Sequence, residues 1–348
     1  MDLQVFWFLL IAVLWGGYFV LEGFDFGVGM LLPFVGRGDR DRGTMLETIG
    51  PVWDGNEVWL VVAAGATFAA FPAWYATMFS GFYLALLLIL VLLIARVVSF
   101  EWHGKSESGS WRSAWFGVNA LASFGAPFLW GVALATLLWG VPLDSDGHFT
   151  GSFWDLFTLY SVLAGLATVV LFAFHGATFL SLRTHGELSE RVSRAARLLS
   201  VVAAVLGAAF LVATVAVAVD RNDKDVVPPI VPAVLGIIAL VLAVGFVVRL
   251  RTGWAFAMTA LGILATVATL FTSLYPRVLV SAPEFANSLT VEGASSSHYA
   301  LAVMTVAALI LTPIVLLYQG WTYYVFRARL GSEDVAGPVE LLPGQTRT

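Results

Sequence analysis

An all-α integral membrane protein with nine transmembrane helices is the fold the sequence predicts. Three observations carry that expectation. Of the 348 residues, 59% are hydrophobic and only 12% charged, where a soluble domain carries roughly 25%. The apolar residues fall into nine runs, each long enough to cross a bilayer at about 20 residues per span. The basic residues gather on alternate loops.

The first run, 3–34, stops at Pro33, Gly36 and a cluster of Arg and Asp. It lacks a positive leader and a small-residue cleavage site, so it is expected to be a retained helix and not a signal peptide. The second, 46–71, ends at Phe71-Pro72, and the third, 75–100, ends before the polar stretch Gly104 to Ser110. A fourth, 113–139, stops short of Pro142; the fifth and sixth are 153–182 and 194–219. The seventh, 227–248, opens on Pro228-Pro229, and Arg251-Thr252-Gly253 separates it from the eighth, 254–274. Those two read either as spans or as a re-entrant pair, and each is long enough to cross, which favours spans. Pro276 closes the eighth, and Ser296 or Ser297 is placed to cap the ninth, 299–326. These breaks are ordinary helix stop and start signals. Residues 1–330 therefore read as one polytopic membrane domain, and 331–348 as a polar cytoplasmic tail.

Basic residues near span ends set orientation. With the N-terminus outside and the C-terminus inside, the outer loops hold only Arg221, Lys224 and Arg277 of the 18 Lys and Arg. The chain has no cysteine, which excludes disulfides, thiolate-ligated metals and cysteine nucleophiles. No phosphate-binding loop, nucleophile elbow or basic nucleic-acid stripe is visible, so the bilayer, and not a nucleic acid, is the expected surrounding.

The chemistry lies in four acids: Glu22, Asp25, Asp54 and Glu57. An ionised carboxylate in a membrane helix is expensive and is a functional-site hypothesis by default. At about 1.5 Å per residue, Asp25 lies some 13 Å above the inner end of its helix. Asp54 and Glu57 lie about 12–17 Å up theirs, which places the acids at one depth. Glu22 with Asp25, and Asp54 with Glu57, are i,i+3 neighbours on one helix face. Gly23, Gly27 and Gly29 let a second backbone approach closely. Groups that exchange protons at such a depth are what a relay requires; the plainer alternative is that the acids pair with Arg or backbone groups. Trp53 and Trp59 read as interfacial or packing aromatics. Arg96 is expected to snorkel to the inner surface. A lone His175 is more often hydrogen-bonded to a neighbour than a haem ligand. His103, His148, His185 and His298 are expected in loops or at helix ends, and no pair has the spacing of a haem or metal site.

Gly23-Phe24-Asp25-Phe26-Gly27-Val28-Gly29-Met30 and Trp53-Asp54-Gly55-Asn56-Glu57-Val58-Trp59 resemble the two signature segments of subunit II of cytochrome bd-type quinol oxidases. The resemblance runs over about residues 5–326. It takes in Phe79-Ser80-Gly81-Phe82-Tyr83, Gly176-Ala177-Thr178-Phe179-Leu180 with Arg183-Thr184 and Gly186-Glu187-Leu188, Asn287-Ser288-Leu289-Thr290, and Thr312-Pro313-Ile314-Val315-Leu316-Leu317-Tyr318 with Trp321.

That resemblance implies two four-helix bundles plus a peripheral helix, and a subunit without haem. Subunit I of such a complex holds two b haems and haem d and oxidises quinol, and the complex reduces oxygen to water electrogenically without pumping. Subunit II is implied to add an inner-side proton path through Asp25 and Asp54. Glu57 joins them, with Trp53, Asn56 and Glu22 in support. The implied setting is the bacterial cytoplasmic membrane, as an obligate heterodimer with subunit I, to which some complexes add a small single-helix subunit. The Arg-rich usage hints at a GC-rich genome and associates with menaquinol as the quinol. Glu57 stands where many members have Gln, and the loop 220–227 is short; the cyanide-insensitive subtype shares the fold.

The rival reading is a proton-coupled secondary transporter, a third a structural scaffold. Transporters usually show inverted repeats with broken helices at mid-membrane; no convincing repeat is visible, and the sixth to eighth runs lack intramembrane ionisable groups. A reduced-minus-oxidised spectrum separates them. Haem bands only when the chain is isolated with its partner support the oxidase, and a working haem-free single chain supports the transporter.

Overall fold

The computed structural model describes residues 2–333. Nearly all of it is helix: α1 (Leu3–Val35), α2 (Asp39–Ile49), α3 (Trp53–Ala70), α4 (Pro72–Gly81), α5 (Tyr83–Trp102), α6 (Gly109–Trp139), α7 (Leu159–Arg183), α8 (Gly186–Asn222), α9 (Val227–Val248), α10 (Thr252–Leu274), α11 (Val291–Ala294) and α12 (His298–Val325). Among the described residues, eight helices are long and apolar enough to cross a membrane: α1, α5 to α10 and α12. The helices α3 and α4 qualify only as a pair, bent by 119° at Phe71. Nine spans are reached if that pair counts as one.

Two expected boundaries change. The run 46–71 is not one helix: Gly50-Pro51 separates the short surface helix α2 from α3. The run 75–100 is also divided, between α4 and α5 at Phe82, and α4 begins before it, with Pro72 in its first turn. A proline ring clashes with the carbonyl four residues back and has no N–H to donate, so α3 cannot continue through it. Asp54, Asn56 and Glu57 further lower the apolar character of α3, which is why it fails to qualify alone. The helices α9 and α10 are separate and pack along one another. Ser297 is the residue that caps α12, its hydroxyl accepting from Ala300 N at 3.3 Å.

The chain is not wholly helical. β1 (Arg277–Leu279) and β2 (Leu289–Thr290) form a small antiparallel pair. Val141 joins the same polar cap through Val141 N to Val280 O at 3.2 Å and Ala282 N to Val141 O at 3.0 Å. Ser296 closes it over the end of α3, donating N–H to Ala70 O at 2.8 Å and O–H to Ala69 O at 2.6 Å. At the other end Asp41 of α2 pairs with Arg191 of α8. Asp41 also accepts from Arg37 N at 2.8 Å and from the Ser332 hydroxyl at 2.6 Å.

The helix α1 is the axis of the molecule, in contact with α3, α6, α7, α10 and α12. Every residue from Glu22 to Leu32 is buried, as expected of a helix enclosed on all sides. In lipid no hydrophobic force draws helices together, so close packing must hold them. Gly27 and Gly176 supply it where α1 crosses α7: a Cβ on Gly27 would stand 2.1 Å from Phe172 O, and one on Gly176 would stand 2.5 Å from Gly27 C. At the other extreme α12 is peripheral, with Leu301 its one buried residue.

Gly27→Ala is expected to force α1 and α7 apart and to destabilise the folded chain by about 2 kcal/mol, the usual scale of overpacking. Gly245→Ala, where an added Cβ meets nothing within 4 Å, is expected to be neutral. Thermal unfolding in detergent compares them, and equal midpoints would contradict the crossing.

Candidate functional site

The site is assembled on one turn of α1 that neighbouring helices answer with polar groups. Glu22 and Asp25 are fully buried. From α5, Arg96 reaches the first of them: its Nη1 pairs with Glu22 Oε1. The guanidinium lies over two aromatic faces, 4.6 Å from the Phe26 ring centre and 5.4 Å from that of Phe100. Arg96 is therefore enclosed and does not snorkel, because an ion pair and two cation–π contacts replace the water it would otherwise seek. The next turn of α5 continues the polar seam. Ser99 Oγ donates to Arg96 O at 2.5 Å and accepts from Asn119 Nδ2 of α6 at 2.7 Å. Gly29 makes room for that seam, since a Cβ there would lie 2.1 Å from Ser123 Oγ and 2.5 Å from Asn119 Oδ1.

Asp25 is held from α3 and, indirectly, from α12. Asn56 Nδ2 donates to Asp25 Oδ2 at 2.8 Å and approaches Leu21 O at 3.4 Å. Asn56 Oδ1 accepts from Tyr323 Oη at 2.6 Å and from Gln319 Nε2 at 3.2 Å. Gln319 Oε1 in turn accepts from Trp59 Nε1 at 2.8 Å. Two donors on Oδ1 fix the amide of Asn56, so its NH₂ must face Asp25. Asp25 Oδ1, Glu22 Oε2, and Arg96 Nε and Nη2 are buried without a hydrogen-bond partner among the described residues. Buried polar atoms are nearly always paired with protein or water, so these four atoms have hydrogen-bonding capacity that the described residues do not fill.

The two acids of α3 differ from those of α1. Glu57 is half-buried and within electrostatic reach of Arg96 and Asp54. Asp54 is exposed on the surface of the chain and lies in the first turn of α3. Because α3 begins at Trp53, Asp54 sits at a helix start and not some turns up a longer helix, where the positive end of the backbone dipole favours a carboxylate. Trp53 packs its ring 5.3 Å from that of Phe100.

His175 is fully buried, with Nε2 3.0 Å from Val20 O and Nδ1 2.7 Å from Thr259 Oγ1. A carbonyl only accepts, so Nε2 carries the hydrogen. Its ring stacks on Phe256 at 4.5 Å. With both nitrogens engaged, it does not fit an axial haem ligand. The exposed group Asp144, Asp146 and His148 closes a loop instead: Asp144 Oδ1 accepts from His148 N at 2.8 Å and Asp146 N at 3.0 Å. The backbone bond from His148 leads the causes that lower its carboxyl below the usual range.

Sequence reasoning brought Glu22, Asp25, Asn56 and Glu57 into view but missed that Arg96 is buried, and missed Gln319 and Tyr323 altogether. A signal existed for the first: a lone cation within an apolar run implies a buried partner. None existed for Tyr323, which is 267 residues from Asn56.

A family model described as cytochrome bd terminal oxidase subunit II matches residues 3–326. The chain is 44% identical to cytochrome bd ubiquinol oxidase subunit 2 of Bacillus subtilis (strain 168), covering 94% of this chain and 97% of that protein. It is 36% identical to cytochrome bd-I ubiquinol oxidase subunit 2 of Escherichia coli (strain K12), covering 96% of each. A chain in the structure of bd oxidase from Geobacillus thermodenitrificans shares the fold, with a TM-score of 0.75 at 18% identity, over 94% of this chain and 99% of that one.

Removing one member of a buried ion pair typically costs about 3–5 kcal/mol, whereas replacing both with apolar residues is often neutral. Arg96→Met is therefore expected to lower the yield and thermal stability of the folded chain sharply. Glu22→Met/Arg96→Met is expected to recover most of the loss. A double variant as unstable as the two single losses combined would show that the pair is not the source.

Proposed function

The chain belongs to the cytochrome bd terminal oxidase subunit II family, a multi-pass bacterial membrane protein within an oxidoreductase complex, and from that premise we propose that it carries protons to the oxygen-reducing site of its partner. In this reading α1 and α3 to α10 make two four-helix bundles, α12 is the peripheral helix, and the N-terminus faces out. The two b haems and haem d would belong to subunit I, where they would pass the electrons of the oxidised quinol to oxygen. Turnover is electrogenic without pumping. Protons consumed there enter from the inner side along this chain.

The observation that carries the reading is the state of Asp25. One carboxylate oxygen is tied to Asn56 while Oδ1 is buried and unpaired among the described residues. Asn56, itself held by Tyr323 and Gln319, is an amide and no proton carrier; its work is to orient Asp25 so that Oδ1 takes the proton. Asp54 collects protons on the exposed start of α3, and Glu57, one turn on and facing Arg96, passes them inward. Arg96, paired with Glu22, also stands within electrostatic reach of Asp25, so the negative charge left when Asp25 loses its proton is partly offset in a low-dielectric setting. The quinol is menaquinol in this reading, on the strength of composition alone, and a small single-helix subunit is a further candidate partner.

Asp25→Asn and Asp54→Asn preserve shape and hydrogen bonding while removing the exchangeable proton. In the assembled complex, quinol-driven oxygen consumption per haem is expected to fall by on the order of tenfold or more, in keeping with the loss of a positioned proton-transfer group. Haem content should stay near normal, and Glu57→Gln should be milder. Full turnover per haem in both Asp variants would overturn the path; loss of assembled complex with normal turnover in the remainder would assign the acids a structural role.

A further inference from the structure

At the ends of α7 and α12 a cleft of about 250 Å³ opens between Arg183, Tyr323 and Arg327 on its polar side and Phe179, Leu182 and Phe326 on its apolar side. One ordered water needs only roughly 15 Å³ of such space, so the cleft has room for a far larger group. Its charge is one-sided. Neither arginine forms an ion pair with a carboxylate among the described residues. Arg183 Nε is buried with no hydrogen-bond partner there, while its guanidinium lies 5.9 Å from the Phe179 ring centre. Arg327 sits over Tyr324 at 3.8 Å and spends one N–H on Tyr324 O at 2.5 Å, with no further hydrogen-bond partner among the described residues. Two guanidinium groups facing one cleft repel each other unless an anion lies between them. Their planar donor forks match phosphate oxygens two at a time.

The apolar wall decides the kind of anion. A free phosphate has no use for Phe179, Leu182 and Phe326, whereas a phospholipid presents a charged head and a hydrocarbon body to the two sides together. Arg183 and Arg327 lie at the helix ends where the chain concentrates its basic residues, the side on which anionic headgroups enrich and where basic pockets between helices hold them. We propose that this cleft binds the headgroup of an anionic phospholipid of the inner leaflet, with Arg183 and Arg327 clamping its phosphate. The lipid would lie against Tyr323, the residue that orients Asn56, but the binding itself does not depend on the proton path.

The test uses the whole complex with its partner subunit in mild detergent, with synthetic phosphatidylglycerol or phosphatidylcholine as probe and native mass spectrometry as readout. Retained lipid is counted without turnover, so a failed proton path leaves the result readable. The intact complex is expected to keep phosphatidylglycerol in preference to phosphatidylcholine. Arg183→Gln/Arg327→Gln should lose it by about tenfold through removal of the charge-assisted bonds, and Arg249→Gln/Arg251→Gln, at another basic helix end, should keep it. Millimolar inorganic phosphate should not displace it. Equal retention of the two lipids by the unaltered complex would overturn the proposal even if the double variant fails to assemble. So would unchanged retention in the double variant, or displacement by phosphate, which would make the site one for the free anion. Removal of 334–348 should leave retention unchanged; a rise would overturn the proposal by naming that segment, with its Asp334 and Glu340, as the occupant.

Discussion

A carboxylate enclosed by apolar helices has to be answered by a cation, a proton or a set of hydrogen bonds, and the arrangement around α1 follows from how Glu22 and Asp25 are answered. Glu22 takes the first course through Arg96, whose long side chain ties α5 to α1 at a fixed height. Asp25 takes the third through Asn56, which does the same for α3. Leaving either unanswered would cost several kcal/mol, comparable with a large share of the stability of a whole domain. Two residues one turn apart thus set where two further helices must lie. Arg96 offers more donors than Glu22 takes up, and its Nε and Nη2 have no partner among the described residues.

Glycine makes such polar contacts compatible with close packing. Gly27 and Gly176 bring α1 and α7 together backbone to backbone, while Gly29 leaves space for Asn119 and Ser123. The first substitutes dispersion contact for the missing hydrophobic force between helices in lipid. The second admits side chains that satisfy each other across α5 and α6. One short motif therefore serves two ends, tight helix crossing on one face and a polar seam on the other.

Much of this was legible in the sequence because hydropathy and punctuation report on a single helix at a time. The extents of α1, α9, α10 and α12 follow from apolar length, proline and the Ser297 cap. The acids stood out because their setting was wrong for their charge. The bend at Phe71 was legible only as a break: Pro72 says that α3 stops, while the 119° turn, and the bonds by which Ser296 seals the carbonyls of Ala69 and Ala70, arise from the distant chain around Ser296 and have no local sign. Arg96 was misjudged because snorkelling is the rule for a cation near a helix end, and the rule yields when a carboxylate and aromatic faces lie closer than water. Gln319 and Tyr323 carried no local sign at all, since a glutamine and a tyrosine near a helix end are ordinary. Their meaning exists only once α12 is beside α3.

The thin attachment of α12 bears on how the molecule comes to be made. Asn56 and Tyr323 are separated by 267 residues, so the amide that orients Asp25 emerges from the ribosome long before the phenol that orients the amide. Until the last helix enters the bilayer, Asn56 is free to turn its carbonyl towards Asp25, where it could only repel a carboxylate. Insertion of α12 is thus the step of biogenesis that completes the buried cluster, and a chain that stalls short of it carries its acids without their alignment.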